Sequence, residues 1–172
     1  MKQKEAEFMP VLENCEPKRV FLLFCKKYCK IPHGSRNTKQ ISDFLVEFAK
    51  DHGFRYVQDE LNNVVIYKPG TPGYENSPTV IIQGHMDMVC EKRPDVDHDF
   101  TKDGLNISVK DGYITANGTT LGGDDGIAVA YGLALLDSTD IPHPPLEVLL
   151  TVDEEIGLLG AVGLDCSVLK GR

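Results

Sequence analysis

Imidazole and carboxylate side chains that could do chemistry occur in three short segments of this chain. The first segment is TVIIQGHMDMV, in which a run of β-branched apolar residues leads to His85 and Asp87. The apolar run predicts a buried strand over residues 79–83. In an extended chain Asp87 lies on the same side as His85, so it can hold one ring nitrogen while the other binds a metal ion. A core histidine with a satisfied hydrogen bond is the alternative, and the acidic residues that follow argue against it.

The second segment is GGDDG, in which Asp124 and Asp125 begin a helix predicted over residues 124–136. Acidic residues at a helix start satisfy free amides and stabilise the helix by roughly 1 kcal/mol, which explains the pair without any function. One aspartate can nevertheless cap the helix while the other points into a crevice and bridges two cations. A nucleotide site is not favoured, because the order is not GxGxxG and two carboxylates would repel a pyrophosphate.

The third segment is Asp153-Glu154-Glu155, directly after an apolar run that predicts a strand over residues 146–152. Three successive acidic residues repel one another, so they form either a solvated turn or a site in which a metal cation relieves the repulsion. Neighbouring side chains on an extended backbone point in opposite directions. One glutamate can then bind metal while the other faces the crevice as a general base.

Such a set of side chains suits the hydrolysis of an amide bond. Two cations about 3.5–4 Å apart, bridged by a carboxylate, lower the pKa of a water molecule held between them. They also polarise the carbonyl group and stabilise the oxyanion that forms on attack. Mixed histidine and carboxylate ligands suit Zn²⁺ best, with Mn²⁺ or Co²⁺ possible. The three segments therefore predict a metal-dependent hydrolase.

Strands alternate with helices along the chain, which predicts a layered α/β fold with a largely parallel central sheet. Helices are predicted over residues 17–30, 37–50, 124–136 and 156–164, strands over 54–58, 63–68, 79–83 and 146–152, and a hairpin over 105–116. In open α/β sheets the functional crevice lies beyond the carboxyl ends of the strands. The three acidic segments are therefore expected to converge on one edge of the sheet.

The composition indicates one soluble domain with an acidic surface. The 172 residues carry a formal net charge of −8, which argues against nucleic acid as a partner because phosphate binding requires a basic surface. No segment is apolar enough to be a membrane span or a signal peptide, so a cytoplasmic protein is predicted. The five cysteines lack paired CxxC spacing and are predicted to be reduced and structural. Surface or loop packing is predicted for the remaining histidines, which are His33, His52, His98 and His143.

Six segments occur along the chain in an order typical of one family: IPHGS, GHMDMV, HDFTKD, GTTLGGDDGIAVA, PLEVLLTVDEE and GAVGLD. In this order they resemble the dinuclear zinc peptidases of the aminoacylase and carboxypeptidase type, and most of all the aminoacyl-histidine dipeptidase branch. The resemblance implies a phosphorylase/hydrolase-like catalytic domain that binds two Zn²⁺ ions. The implied reaction is the hydrolysis of dipeptides with a free amino terminus, including Xaa-His dipeptides.

The resemblance also assigns roles to individual residues. It implies that His85 binds one metal, that Asp124 bridges both metals and that Glu155 binds the second. It further implies Glu154 as the general base and Asp87 as the residue that orients His85.

Two features depart from the family pattern. Asp125 and Asp153 stand where most relatives have Asn and a less charged residue, which adds negative charge near the cations. Family members are also longer, with a lid and dimerisation domain and a carboxyl-terminal catalytic segment that supplies further ligands. Residues 1–172 are therefore expected to be the amino-terminal part of the catalytic domain, with an incomplete sheet, weak metal binding and little peptidase activity alone. A homodimer is expected for the longer form, and self-association through exposed sheet edges for this chain.

Two alternative functions remain open at this point. The chain could be a non-catalytic protein that uses the same fold to bind a partner or a small ligand. It could also belong to a related deacylase or tripeptidase, although the segment HDFTKD favours the dipeptidase branch.

Overall fold

The computed structural model describes residues 15–172, so the polar start of the chain, which was considered above for a signal peptide, lies outside the described residues. The helices are α1 (Lys18–Lys26), α2 (Lys39–Asp51), α3 (Gly123–Asp137) and α4 (Leu159–Gly163). The strands are β1 (Arg55–Gln58), β2 (Val64–Lys68), β3 (Val80–His85), β4 (Ile107–Lys110), β5 (Tyr113–Ala116) and β6 (Leu146–Thr151). Two 3₁₀ turns are formed by Tyr28–Lys30 and Cys166–Val168.

Four of the strands form one sheet, in the order β1-β2-β6-β3. The strands β3 and β6 are parallel, whereas β1 pairs antiparallel with β2 and β2 pairs antiparallel with β6. The layered α/β fold is thus confirmed, but the sheet is mixed and the prediction of a largely parallel one is wrong. The reason lies in the connection of β1 to β2, because the short turn over residues 59–63 cannot make the crossover that parallel neighbours require.

The alternation of side chains along β2 separates two layers of apolar packing. Val64 and Ile66 face the main core, where α2 and α3 pack against the sheet and α1 packs against α3. Val65 and Tyr67 face the opposite side together with Leu149 of β6, and the segment over residues 164–169 covers them. Successive residues of a strand point to opposite faces, so this strand is buried on both.

Helix α3 is apolar around most of its circumference and lies inside the protein, as expected for a helix without a polar face. It packs against β3 and against α1. Close approach depends on two glycines: a Cβ atom at Gly126 would overlap the ring of Tyr28, and one at Gly132 would lie 2.8 Å from Val148 Cγ1. The start of α3, which carries the acidic pair, is therefore held tightly against Tyr28, and its middle against β6.

Most of the predicted elements are present close to their predicted limits. The hairpin β4–β5 turns through Asp111 and Gly112, whose φ values of 52° and 80° suit a tight two-residue turn. The first helix ends earlier than predicted, at Lys26, and a 3₁₀ turn follows it. The helix predicted over residues 156–164 is shortened to α4, because Leu158 adopts a left-handed backbone with φ 59° at its start.

The pairing of β3 with β6 brings the acidic segments to one edge of the sheet. His85 pairs with Thr151 in parallel register, so both strands end at the same level. On the outer edge of β3, the Ile81 N–H donates to Arg172 O at 3.1 Å and the Arg172 N–H donates to Thr79 O at 3.3 Å. Among residues 15–172, no further strand of the sheet lies along this edge.

Two further predictions concern membranes and thiols. Within the described part of the chain, no helix combines the length and apolar character needed to cross a membrane. Cys25 and Cys29 are buried reduced thiols, as predicted, and burial raises the pKa of Cys25 to about 11. Cys15 is half-buried and Cys90 and Cys166 are exposed, so a place in the core is found for Cys25 and Cys29 only.

Candidate metal centre

His85 stands at the carboxyl end of β3 with only 6% of its surface exposed. Its Nδ1 atom lies 3.3 Å from Asp87 Oδ1 and 3.1 Å from the Asp87 backbone oxygen. Its Nε2 atom lies 3.1 Å from Asp124 Oδ1 and 3.8 Å from Glu154 Oε2. Burial alone would lower the pKa of His85, but the hydrogen bonds to Asp87 and Asp124 and the nearby charge of Asp125 raise it to about 9. The imidazole is thus held on one side and faces carboxylates on the other.

Asp87 is fully buried and joins three segments of the chain. Its Oδ2 atom accepts a hydrogen bond from Ser35 Oγ at 2.8 Å. Its two oxygens also accept from the backbone N–H groups of Glu154 at 3.1 Å and Glu155 at 3.4 Å. Burial alone would raise the pKa of Asp87, but the hydrogen bonds from His85, Ser35 and the Glu154 N–H keep it below its ordinary value. Asp87 is therefore a buried carboxylate that stays ionised at neutral pH.

The two adjacent aspartates at the start of α3 point in different directions. The peptide bond between them is cis, and neither residue has helical φ and ψ angles. The Asp124 side chain is 89% exposed and meets His85. Asp125 instead accepts hydrogen bonds from the backbone N–H groups of His85 and Ala128, and burial raises its pKa. Asp125 thus caps the helix while Asp124 faces the imidazole. These two roles were expected for the pair from the sequence, one residue as a helix cap and the other pointing into the crevice.

Glu154 and Glu155 both lie beside His85. One oxygen of each carboxylate and one ring nitrogen of His85 all lie within 4.8 Å of one another. This arrangement differs from the prediction that the two side chains point in opposite directions. The prediction assumed an extended backbone, whereas the chain turns at Asp153, whose φ is 54°. Burial and then repulsion by Glu154 and Asp124 raise the pKa of Glu155.

The donor atoms fit divalent metal ions. They form two groups that share His85, one with Asp124 and Asp125 and one with Glu154 and Glu155. One imidazole nitrogen and several carboxylate oxygens are ligands that borderline and hard cations accept. The repulsion that raises the pKa of Glu155 would be relieved by a cation placed among the carboxylates.

His33 does more than pack in a loop. It is 2% exposed, its Nδ1 lies 2.6 Å from Ile31 O, and its ring centroid lies 4.2 Å from that of Tyr28. Within the residues that the structure describes, its buried Nε2 atom has no hydrogen-bond partner. A Cβ atom at Gly122 would lie 3.2 Å from this Nε2. His33 therefore supports the turn that leads into Asp124, and burial lowers its pKa.

Ser35 is a residue of this site that the sequence analysis missed. Its contact with Asp87 spans 52 positions of sequence. The one signal for Ser35 in the sequence is its place in IPHGS, a segment that matches the family pattern. The other histidines lie outside both groups of possible ligands within the described chain. His52 bonds Phe48 O and Asp137 at a helix end, which agrees with the prediction of surface packing.

The chain is similar to known peptidases in sequence and in fold. A family model described as "Peptidase family M20/M25/M40" matches residues 81–167. The chain is 43% identical to the cytosol non-specific dipeptidase of Escherichia coli over 162 residues, which are 94% of this chain and 33% of that relative.

Solved structures show the same likeness. The aminoacylhistidine dipeptidase of Vibrio alginolyticus superposes with a TM-score of 0.90 and 44% identity, covering 96% of this chain and 34% of that one. A tripeptidase of Staphylococcus aureus gives a TM-score of 0.73 and 28% identity, covering 90% of this chain and 41% of that one. This chain thus spans about a third of the length of its dipeptidase relatives. It belongs to the M20/M25/M40 family of peptidases, as the sequence resemblance predicted.

Proposed function

We propose that this chain carries metal-binding and proton-transfer residues of a dipeptidase that cleaves dipeptides with a free amino terminus, Xaa-His dipeptides included. The convergence of Asp124, Glu154 and Glu155 on the outward-facing nitrogen of His85 carries the proposal. The names of two relatives, a non-specific dipeptidase and an aminoacylhistidine dipeptidase, support this choice of substrate.

In this proposal His85 would hold one cation, Glu155 would hold the second, and Asp124 would serve as a ligand to both. Zn²⁺ suits the donor set best, and Mn²⁺ or Co²⁺ would be accepted by the same atoms. When bound, the cations would supply Lewis-acid activation of a water molecule and of the peptide carbonyl. Asp87 holds Nδ1 of His85 as a donor, so that Nε2 is the nitrogen available for a ligand bond.

Glu154 is the general base in this proposal. It takes a proton from the attacking water and passes it to the amine that leaves. Its backbone N–H donates to Asp87 Oδ1, so the residue that orients His85 also anchors the backbone of Glu154. Its carboxylate remains partly exposed, with 36% of the side chain accessible, and can therefore reach a water molecule at the sheet edge.

The partners and location of the protein follow from the same proposal. The name of the Escherichia coli relative and the acidic net charge of −8 support a cytoplasmic enzyme that does not bind nucleic acid. We place residues 1–172 in the amino-terminal part of the catalytic domain, with a lid and dimerisation domain and further ligands supplied from outside them. A homodimer is proposed for the longer form. Self-association of this chain would use the sparsely paired edge of β3.

The test uses the 172-residue chain and a hybrid in which residues 15–172 replace the matching third of the Escherichia coli dipeptidase. The hybrid is expected to bind two metal ions per protomer and to hydrolyse Ala-His, while the chain alone binds metal weakly and turns over little substrate. Metal content is measured by mass spectrometry and hydrolysis by amine release. A folded, metal-loaded hybrid that cleaves no dipeptide would instead support a binding protein, and a preference for tripeptides would favour a tripeptidase.

A further inference from the structure

Asp153 is an acidic residue beside the candidate metal centre to which the proposed mechanism gives no role. It lies two residues beyond the end of β6, yet it belongs to neither group of possible metal ligands found in the described residues. Its φ of 54° lies in the left-handed region that few residues other than glycine adopt. Asp and Asn tolerate this region better than most residues, because their short polar side chains can bond locally.

The carboxylate of Asp153 points towards another turn of the chain. Its Oδ1 atom accepts a hydrogen bond from the Arg36 backbone N–H at 2.6 Å. Arg36 also has a left-handed backbone, with φ 65°. A charged acceptor makes such a bond shorter and stronger than one between neutral groups. The bond therefore joins two turns of the chain, each at a residue with a left-handed backbone.

A second link joins the same two parts of the chain. Ser35, the neighbour of Arg36, donates from Oγ to Asp87 Oδ2 at 2.8 Å. Asp87 in turn accepts from the backbone N–H of Glu154 at 3.1 Å. The turn at residues 35–36 thus reaches the loop at residues 153–154 directly through Asp153 and indirectly through Asp87.

We propose that Asp153 is a positioning residue, whose bond to the Arg36 N–H sets the loop backbone so that Glu154 and Glu155 both face His85. The inference deepens the proposed function and rests on it for the roles of the two glutamates. In this proposal the oxygen that accepts the hydrogen bond, and not the negative charge, positions the loop, because the carboxylate of Asp153 is directed to the Arg36 N–H. Asp153, which stands where most relatives have a less charged residue, therefore does not serve as a further metal ligand in this proposal.

Two substitutions separate the acceptor from the charge and from the backbone conformation. Asp153→Asn keeps an oxygen acceptor and tolerates a left-handed backbone, but it removes the charge. Asp153→Gly accepts the same φ and removes the acceptor. Asp140→Gly is the matched control, since Asp140 is an exposed aspartate whose side chain is 77% accessible.

Two measurements are made on the 172-residue chain. Zn²⁺ affinity is measured by titration calorimetry. Hydrogen exchange of the Arg36 and Glu154 amides is measured by NMR in the metal-free protein, which reports the position of the loop without metal or turnover. Thermal unfolding followed by circular dichroism shows that each variant is folded.

The expected result is a clear difference between the two variants at position 153. Asp153→Gly should weaken Zn²⁺ binding about tenfold, as loss of an outer-shell partner does, and should speed amide exchange of Arg36 and Glu154 about tenfold. Asp153→Asn and Asp140→Gly should stay within about twofold of the unchanged chain in both measurements.

Equal losses in Asp153→Asn and Asp153→Gly would overturn the inference, because charge would then be the cause. Unchanged values in Asp153→Gly would overturn it as well. If the unchanged chain takes up no Zn²⁺, the amide exchange rates alone test the inference, and the same two outcomes would overturn it. A failure of the proposed metal function is therefore distinct from a failure of the positioning role.

Discussion

The two ring nitrogens of His85 have different environments, because Nδ1 lies 3.3 Å from the buried carboxylate of Asp87 while Nε2 lies 3.1 Å from the exposed carboxylate of Asp124. The buried contact limits rotation of the ring, since Asp87 is itself held by Ser35 and by the Glu154 N–H. Only Nε2 remains available to a ligand at the sheet edge. A cation that binds there must displace the proton that Nε2 shares with Asp124.

The first prediction concerns Asp87. Asp87→Asn removes the charge that holds Nδ1 of His85 as a donor, and one of its terminal atoms becomes a donor itself. We expect Zn²⁺ affinity to fall about 10- to 100-fold, as replacement of outer-shell partners does. Titration calorimetry measures this, with Asp95→Asn as a control in an exposed surface ion pair. An affinity that Asp87→Asn leaves unchanged would remove Asp87 from the centre.

A second prediction separates proton transfer from metal binding. Glu154→Gln in the hybrid enzyme should keep both metal ions and lower kcat for Ala-His by about 10²–10⁴-fold, which is the usual contribution of a general base. Metal content and initial rates are measured on the same sample. Glu91→Gln, in an exposed loop, is the control and should retain full activity. Loss of metal together with activity would instead make Glu154 a ligand.

The convergence of the site residues could be predicted from sequence because it depends on local patterns. The β-branched run before His85 predicted β3, and the apolar run before Asp153 predicted β6. Since parallel strands end at the same edge, the polar residues that follow them had to meet there. The helix start at Asp124 and Asp125 was predicted equally well, because acidic residues cap helices.

Other parts of the site depend on contacts between distant segments, and no local pattern encodes them. Ser35 meets Asp87 across 52 positions, and Arg36 meets Asp153 across 117. Nothing in a run of three acidic residues indicates that Asp153 has a left-handed backbone. The directions of the Glu154 and Glu155 side chains were therefore predicted for an extended backbone, whereas the chain turns at Asp153. The antiparallel pairing of β2 with β6 was also missed. The two strands are far apart in the sequence, and the alternation of side chains along a strand does not reveal its direction.

A third prediction concerns the close packing of α3. Gly126→Ala should lower the free energy of unfolding by about 1–3 kcal/mol, because the added Cβ would overlap the Tyr28 ring. Gly123→Ala, in the same helix, is the control: its Cβ would lie 3.8 Å from the nearest atom, Leu121 Cδ2. We expect that change to leave stability equal or slightly higher. Urea unfolding of the metal-free variants measures both, and equal stabilities would contradict the packing described here.

A fourth prediction distinguishes the buried thiols from the exposed ones. Burial raises the pKa of Cys25 to about 11 and raises that of Cys29 as well, so both stay protonated and shielded at pH 8. Iodoacetamide should alkylate exposed Cys166 within minutes and Cys25 only after urea unfolds the chain. Peptide mass spectrometry gives the rate at each position. Alkylation of native Cys25 at the rate of Cys166 would show that α1 does not stay packed on α3.

The last prediction follows from the protonation of His85. Its pKa of about 9 in the metal-free folded chain exceeds the ordinary value of 6.5, so the folded state binds the imidazole proton more tightly than the unfolded state. The resulting stability is complete below about pH 6.5 and is lost as pH rises through about 9. The free energy of unfolding should therefore fall across this window, by about 1–3 kcal/mol, which is less than the full shift implies because solvent screens the contact with the exposed Asp124.

Urea unfolding of the metal-free chain between pH 6 and pH 9.5 measures this loss. Other groups also titrate above pH 8, so the quantity to examine is the difference between the unchanged chain and His85→Gln. Glutamine fills part of the same space and cannot take up a proton, so its stability should lack the His85 contribution at every pH. The difference should shrink steadily as pH rises. A difference that is constant from pH 6 to pH 9.5 would mean that Asp87 and Asp124 do not hold a proton on His85.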